Sequence, residues 1–413
     1  MNDVSISVGR IGAERADATN SNRVDLEALR RYRLERIREQ LSRLDCAGIV
    51  VFDPINIRYA TDVTNMQVWV LHNAARYAFV ATSGPVVLFD FHNCEHLAAG
   101  VKQVDEVRRA TSWYYFHAGP RLAELAGKWA AEIADLVHAH GGGNRRLAVD
   151  HCNPEGAAAL ARHGLTVHDG QEVMEQARVI KAPVEIEAMR VAIAACETGM
   201  RRMQEALQPG ISENELWSVL HQTNIALGGE WIETRLLSSG PRTNPWFQEC
   251  GTRIIQDGDI VSFDTDLIGP FGYCADISRS WRCGDGAPDD RQRRLYALAR
   301  EQIEFNIELL RPGMRFDEFA ARSFRLPANC VANRYSVVAH GVGLCDEYPA
   351  VSYMEDTANR GYTGTIEPGM TLCIESYIGE DGGSEGMKLE EQVLVTEHGV
   401  ERLSVYPFED RFA

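Results

Sequence analysis

At 413 residues the chain is long for a single domain, and a division in two is expected. Its 45% hydrophobic and 24% charged residues can build ordinary buried cores, which excludes a disordered chain. A net charge of -17, with no dense basic patch to offset it, argues against nucleic acid or an anionic membrane as a partner.

Residues 1–24 are polar and aperiodic; a loose tail or a dimer arm is expected, with no apolar stretch resembling a signal peptide. Helical spacing of apolar residues over 26–44 predicts a helix, and 47–52 a buried strand ended by Asp53-Pro54. The segments 77–82 and 86–91, around Ser83-Gly84-Pro85, predict a hairpin. An amphipathic helix over 122–140, closed by three glycines, leads to a strand over 146–150. This alternating α/β domain is expected to end at residue 177, and its lack of G-x-G-x-x-G and of a P-loop leaves nucleotide binding without support. Residues 57–61 and 65–73 mix aromatic and polar side chains without clean periodicity, which fits a surface loop that touches something or a half-buried connection. His92, His96 and His117 have no ligand spacing and count as ordinary. The ten cysteines are scattered singly, so neither a zinc ribbon nor a disulfide framework is expected. Most read as small buried residues in a reducing compartment, and no run of about 18 apolar residues exists to span a membrane. A cytoplasmic protein is expected.

Ala182-Pro183 marks a linker, followed by a helix over 185–207 that ends at Pro209-Gly210. Ser212 reads as the N-cap of the next helix, with Glu215 completing a capping box, and a third helix over 291–310 is stopped by Pro312-Gly313. Between them lies Gly258-Asp-Ile-Val-Ser-Phe-Asp264-Thr-Asp266, where Ile260, Val261 and Phe263 predict a short strand. Alternation along that strand would point Ser262, Asp264 and Asp266 the same way. A turn at Gly269-Pro270 is expected to bring Asp276 back beside them. Three carboxylates on one face repel one another unless a cation lies between them, whereas the bland alternative is a solvated edge hairpin.

The pattern recurs. Gly369 precedes Glu375 by six residues through an apolar strand, as Gly258 precedes Asp264, and Glu390 follows on a return strand as Asp276 does. Two such halves facing one another would gather at least four acids. His340 lies between them in Ala-His340-Gly-Val-Gly343-Leu, whose glycines leave room around the imidazole. A lone histidine is ordinarily structural, but one set between two acid-bearing halves is expected to be a ligand. One imidazole with several carboxylates suits a divalent cation such as Fe(II), Mn(II) or Zn(II).

Asp264, Asp276, His340, Glu375 and Glu390, in that order and within Gly-Tyr-x-x-Asp276, His340-Gly-x-Gly-Leu and Lys-Leu-Glu390-Glu, resemble the metal site of the creatinase/aminopeptidase family. The resemblance covers the whole chain and implies an α+β fold. A C-terminal pita-bread catalytic domain over 178–413 would follow a smaller creatinase-type α/β domain over 25–177. It also implies a homodimer in which the front domain of one subunit approaches the active site of the other. Two departures from the family's peptidases bear on chemistry. Asp266 stands where they carry a small residue, and on the same strand face it becomes a sixth ligand. They follow His-Gly-x-Gly-Leu with His-Glu-x-Pro, whereas here Asp346-Glu347-Tyr348-Pro349 stands one residue closer. The imidazole that stabilises a tetrahedral intermediate has become a carboxylate, a poor oxyanion partner but a serviceable base.

Longer strings resemble the bacterial dimethylsulfoniopropionate lyases of the DddP type built on this fold. Among them are Asn56-Ile-Arg-Tyr-Ala-Thr, Gly229-Glu-Trp231-Ile-Glu-Thr-Arg and Gly240-Pro-Arg-Thr-Asn-Pro-Trp246-Phe247; the match loosens at 322–334 and 382–387. That resemblance implies cleavage of a small zwitterion to dimethyl sulfide and acrylate. Asp346 would be the base and Tyr335 would orient the substrate carboxylate or assist it, with Fe(II) as the first choice of metal. Aromatic faces would hold the sulfonium, with Tyr59, Trp69 and Trp231 as first candidates and Trp246 and Phe247 behind them. Two readings compete: an Xaa-Pro-type metallopeptidase or related C–N hydrolase, disfavoured by the missing second histidine, and an inactive member serving as a binding module.

Overall fold

The computed structural model describes residues 24–412 and divides them into two units, Asp25–Arg178 and a second beginning at Val179. The tail expected over 1–24 lies, apart from Val24, outside the described residues.

The N-terminal unit opens with α1 (Leu26–Arg43), started where the Asp25 side chain accepts from the Glu27 and Ala28 amides at 3.1 and 3.0 Å. Such a cap stabilises a helix by about 1 kcal/mol. Next come β1 (Gly48–Val51), α2 (Pro54–Thr61), β2 (Tyr77–Ala81), β3 (Val86–Asp90) and β4 (Glu106–Arg109). Then follow α3 (Leu122–His140), β5 (Arg146–Val149), α4 (Pro154–Arg162), β6 (Thr166–Asp169) and α5 (Gly170–Arg178). The strands form one mixed sheet in the order β4-β3-β2-β1-β5-β6. β1, β2 and β3 are buried along their whole length, which is why they read as unbroken apolar runs rather than alternating ones. The edge strands β4 and β6 carry charge and stay partly open. A correction falls on residues 57–61: they belong to α2, whose eight residues are all buried, so they form a core helix and not a surface loop.

The second unit carries α6 (Pro183–Ala206) and α7 (Glu213–Ala226), the latter with the expected box: the Ser212 hydroxyl accepts from the Glu215 amide, and Glu215 accepts from the Ser212 amide at 2.8 Å. Short strands follow as β7 (Trp231–Ile232), β8 (Leu237–Ser239), β9 (Ile260–Phe263), β10 (Leu267–Ile268), β11 (Cys274–Ala275) and β12 (Arg279–Arg282). They make two three-stranded sheets, β11-β10-β7 and β12-β9-β8. After α8 (Asp290–Leu309) and α9 (Phe316–Arg322) come β13 (Ala339–Val342), β14 (Asp346–Val351), β15 (Thr371–Gly379), β16 (Gly386–Thr396) and β17 (Gly399–Arg402). These form a five-stranded sheet in the order β14-β13-β15-β16-β17.

Alternation along β15 and β16 positions the chemistry. Leu372, Ile374, Ile378, Leu389 and Val393 enter the core with Ile303 and Ala299 of α8, each of the larger side chains contributing roughly 1.5–3 kcal/mol by burial. Cys373 and Glu375 on β15, and Lys388, Glu390 and Gln392 on β16, therefore take the other face. Gly258 and Gly369, which open the two acid-bearing segments, have φ of +89° and +88°. Both turns use the left-handed conformation that glycine adopts without strain.

Candidate metal centre

The five acids and the imidazole converge inside the second unit. Asp264, Asp266 and Asp276 offer oxygens within 4.8 Å of one another, as do Asp264, Glu375 and Glu390. Asp276, His340 and Glu390 do so together with the Cys373 sulfur, a ligand type the sequence did not single out. Glu375 and Glu390 face each other as a direct cross-strand pair. Two like charges there are unfavourable without a cation.

The first half is built differently from what alternation predicts. β9 stops at Phe263, and Asp266 sits past it with φ +34°, so Asp264 and Asp266 are not strand neighbours on one face. Asp266 nevertheless reaches the cluster, its Oδ2 accepting from the Thr234 hydroxyl at 2.7 Å. His340 is aimed by a register shift between His340 and Gly341 in the β13–β14 ladder, a bulge that re-orients a side chain. Its Nδ1 lies 3.1 Å from the Gly341 carbonyl. Nε2 lies 3.5, 3.3 and 3.6 Å from Asp276, Glu375 and Glu390. Burial opposes charge on the ring, but Asp346, Glu375 and Glu390 overcome it and favour the protonated imidazole, whereas a proton on Nδ1 alone would leave the Nε2 lone pair for a metal.

Lys388 is the residue sequence reasoning missed. Its ammonium is fully buried and lies 2.7 Å from Glu375, 3.1 Å from Asp264 and 3.2 Å from Glu390, and donates to the Ser278 hydroxyl at 2.6 Å. Each glutamate is split in role: Oε2 meets the lysine, Oε1 turns toward His340. Ser278 in turn lies 2.7 Å from Asp264 and 2.8 Å from Glu390. A lysine two residues before Glu390 on an alternating strand was the available signal, since both must share a face.

The electrostatics follow from burial. Loss of water, then the Glu390 charge, pushes Asp264 up to about 7. Burial followed by neighbouring carboxylates drives Asp266, Asp276 and Glu375 above their ordinary range. Burial alone would raise Glu390 too, but the Lys388 charge and the His340 contact overcome it and hold Glu390 well below the usual value. Among the described residues, Asp276 Oδ1 and Glu390 Oε1 are buried without a hydrogen-bond partner. Orphaned carboxylate oxygens beside an imidazole fit a divalent cation of hard or borderline type.

Asp346 opens β14 at the rim, its side chain 56% exposed and Oδ1 3.6 Å from His340 Nδ1. Tyr335 is half-buried, with the Lys388 ammonium 4.6 Å from its ring centre and Phe247 stacked on it at 5.3 Å. Burial and then the charges of Glu375 and Asp264 hold its phenol well above the ordinary value. The three aromatics first chosen for the sulfonium fare differently. Tyr59 is a correction: it is buried in the N-terminal unit, with Arg33 over its ring at 5.4 Å and its hydroxyl donating to the Ala177 carbonyl. It holds that unit together and has no open face to offer. Trp69 is part-exposed in the same unit, against Phe91 and Tyr114. Trp231 is half-buried in β7 opposite Ile268, three residues before Thr234, whose hydroxyl donates to Asp266. Phe247 and the buried Trp246, whose ring centre lies 5.9 Å from Lys388, are the aromatics that accompany Tyr335 and the acids.

Comparison with known proteins adds to this geometry. Residues 187–397 match the family model for metallopeptidase family M24, and 33–180 that for the creatinase/prolidase N-terminal domain. The chain is 47% identical over 390 residues to dimethylsulfoniopropionate lyase DddP of Roseovarius nubinhibens, covering 93% of this chain and 87% of that one. It is 43% identical over 416 residues to the lyase DddP of Roseobacter denitrificans, covering 99% and 93%. Among solved structures, an Xaa-Pro dipeptidase from Bacillus anthracis superposes with a TM-score of 0.72 at 20% identity, over 91% of this chain and 98% of that one. A dipeptidase from Pyrococcus horikoshii gives 0.73 at 20% identity, over 91% and 99%. At such identity these two structures establish the architecture alone.

Proposed function

Because this chain belongs to metallopeptidase family M24, with a creatinase/prolidase N-terminal domain ahead of a pita-bread catalytic domain, we propose that it is a metal-dependent carbon–sulfur lyase that cleaves dimethylsulfoniopropionate to dimethyl sulfide and acrylate. The observation that carries the reading is Asp346: a carboxylate, half-open at the mouth of a buried acid cage, stands beside the metal-facing histidine. That is a place for a base rather than for an oxyanion donor.

Asp264, Asp266, Asp276, His340, Glu375 and Glu390 would hold a divalent metal, for which we take Fe(II) ahead of Mn(II) or Zn(II). Bound there, it would supply Lewis acidity to the substrate carboxylate and so make the adjacent C–H more acidic. Asp346 removes that proton, the C–H electron pair becomes the C=C bond of acrylate, and the C–S pair leaves with sulfur as a neutral thioether. No water nucleophile enters. Tyr335 orients the carboxylate or the base from the inner wall. We take residues 25–177 and 178–413 as the two domains, a homodimer as the assembly and the cytoplasm as the location. Among the described residues, no helix is long and apolar enough to cross a membrane.

Headspace detection of dimethyl sulfide tests the reading, with wild type compared to Asp346→Ala. Loss of about 10²–10⁴ in rate at unchanged metal content is expected. Release of proline from an Xaa-Pro dipeptide, with no volatile product, would put the peptidase reading in its place.

A further inference from the structure

We propose that Phe247 is the seat of the substrate's onium group, an inference that rests on the lyase reading and names how the cationic end is recognised. Phe247 has φ of +68°, a left-handed backbone that a bulky residue rarely adopts, and it keeps 57% of its surface exposed. Core burial therefore does not explain the conformation. What holds the residue there is the stack on Tyr335, 5.3 Å between ring centres and 27° between planes.

The segment leading to it is anchored at two points. The Asn244 amide donates to the Glu380 and Gly383 carbonyls at 2.8 and 2.9 Å, and its oxygen accepts from the Tyr377 hydroxyl at 2.9 Å. Trp246 is buried against Tyr377, 5.9 Å between rings. A chain pinned so firmly up to residue 246 presents the next side chain in a fixed place. Tyr335 is already flanked by a cation, the Lys388 ammonium at 4.6 Å, so the aromatic surface left for a second cation is that of Phe247. A trialkyl sulfonium has no N–H to donate and is recognised by aromatic faces and by charge. Its carboxylate end belongs with the buried centre, which Lys388 links to Tyr335 through Glu375.

The test uses the metal-loaded full chain and two carboxylates of equal shape, zwitterionic 3-(trimethylammonio)propionate with a cationic head and 4,4-dimethylpentanoate with an uncharged one, with the binding of each measured by calorimetry. Wild type is expected to favour the cation. Phe247→Leu keeps bulk but removes the ring face, and narrows that preference about 2–30-fold. Phe247→Tyr restores it, and metal content is the same in all three proteins. In turnover, Phe247→Leu raises KM and leaves kcat little changed. A preference unmoved in Phe247→Leu overturns the proposal, because Asp266 and Asp346 then supply it alone; so does a wild type that binds neither ligand. A wild type that releases no dimethyl sulfide, yet shows the preference and its loss in Phe247→Leu, sinks the lyase reading and leaves the seat standing.

Discussion

The two halves of the centre reach the same end by different means. Glu375 and Glu390 sit opposite each other in the β15–β16 ladder, so the register that packs Leu372 and Leu389 into the core also sets the carboxylate positions. Asp264, Asp266 and Asp276 lie where two small sheets break off, beyond the end of β9, where Ser278 aims Asp264 and Thr234 aims Asp266. A ladder is over-determined by its hydrogen bonds, whereas a break is held by a few side chains. The second half is therefore expected to be the stiffer jaw of the site, and the first the more adjustable one.

The largest test of that contrast compares Glu390→Ala with Asp266→Asn. Removing Glu390 is expected to empty the centre and lower dimethyl sulfide release by about a thousandfold or more. Asp266→Asn is expected to weaken metal binding only about tenfold, read by elemental analysis and chelator competition. If Asp266→Asn empties the centre as completely, the halves contribute alike and the contrast is gone. A smaller effect is expected at Lys388, which ties Glu375 and Glu390 of one half to Asp264 of the other. Lys388→Met should lower metal affinity about 10–100-fold, and Lys388→Arg less. Equal affinity in all three proteins would show that the ladder needs no clamp.

The smallest effect is on stability against pH. Asp264 is ordinarily ionised above 3.8 but in the fold titrates near 7, and Asp266, Asp276 and Glu375 move the same way. Between those pH values the folded chain binds more protons than the unfolded one, so stability falls as pH rises. The melting temperature of the metal-free protein should therefore drop from about pH 4 to about pH 7, and metal should restore most stability at the upper end. A metal-free protein that melts higher at pH 7 than at pH 5 would mean the acids are relieved by other means.

Much of this was legible in the sequence because periodicity and caps are local. Ser212 and Glu215 announce a helix start, and β2 and β3 announce themselves as short apolar runs around a Gly-Pro turn. Asp264, Asp276, Glu375 and Glu390 could be found because the glycine-strand-acid spacing repeats. What escaped depends on tertiary surroundings. Lys388 in isolation reads as a solvated charge, and only the fold shows that no water reaches it. Tyr59 looked like a ligand-facing aromatic because a buried tyrosine and an exposed one have the same neighbours in sequence. Asp266 was assigned to a regular strand that ends three residues earlier, since alternation carries no notice of where a ladder stops.

The pair formed by Lys181 and Glu347 bears on how the enzyme can be cut. The ammonium and carboxylate lie 2.9 Å apart with almost no exposure, and Glu347 also receives the Leu344 amide, so the backbone next to Asp346 is fastened to residue 181. Residue 181 precedes the first position matched by the M24 family model, residue 187. A fragment trimmed to that boundary would retain every metal-facing side chain but lack the Lys181 ammonium that meets Glu347, and removing one partner of a buried ion pair costs about 3–5 kcal/mol. The shortest catalytic fragment expected to keep Asp346 in place therefore begins upstream of residue 187.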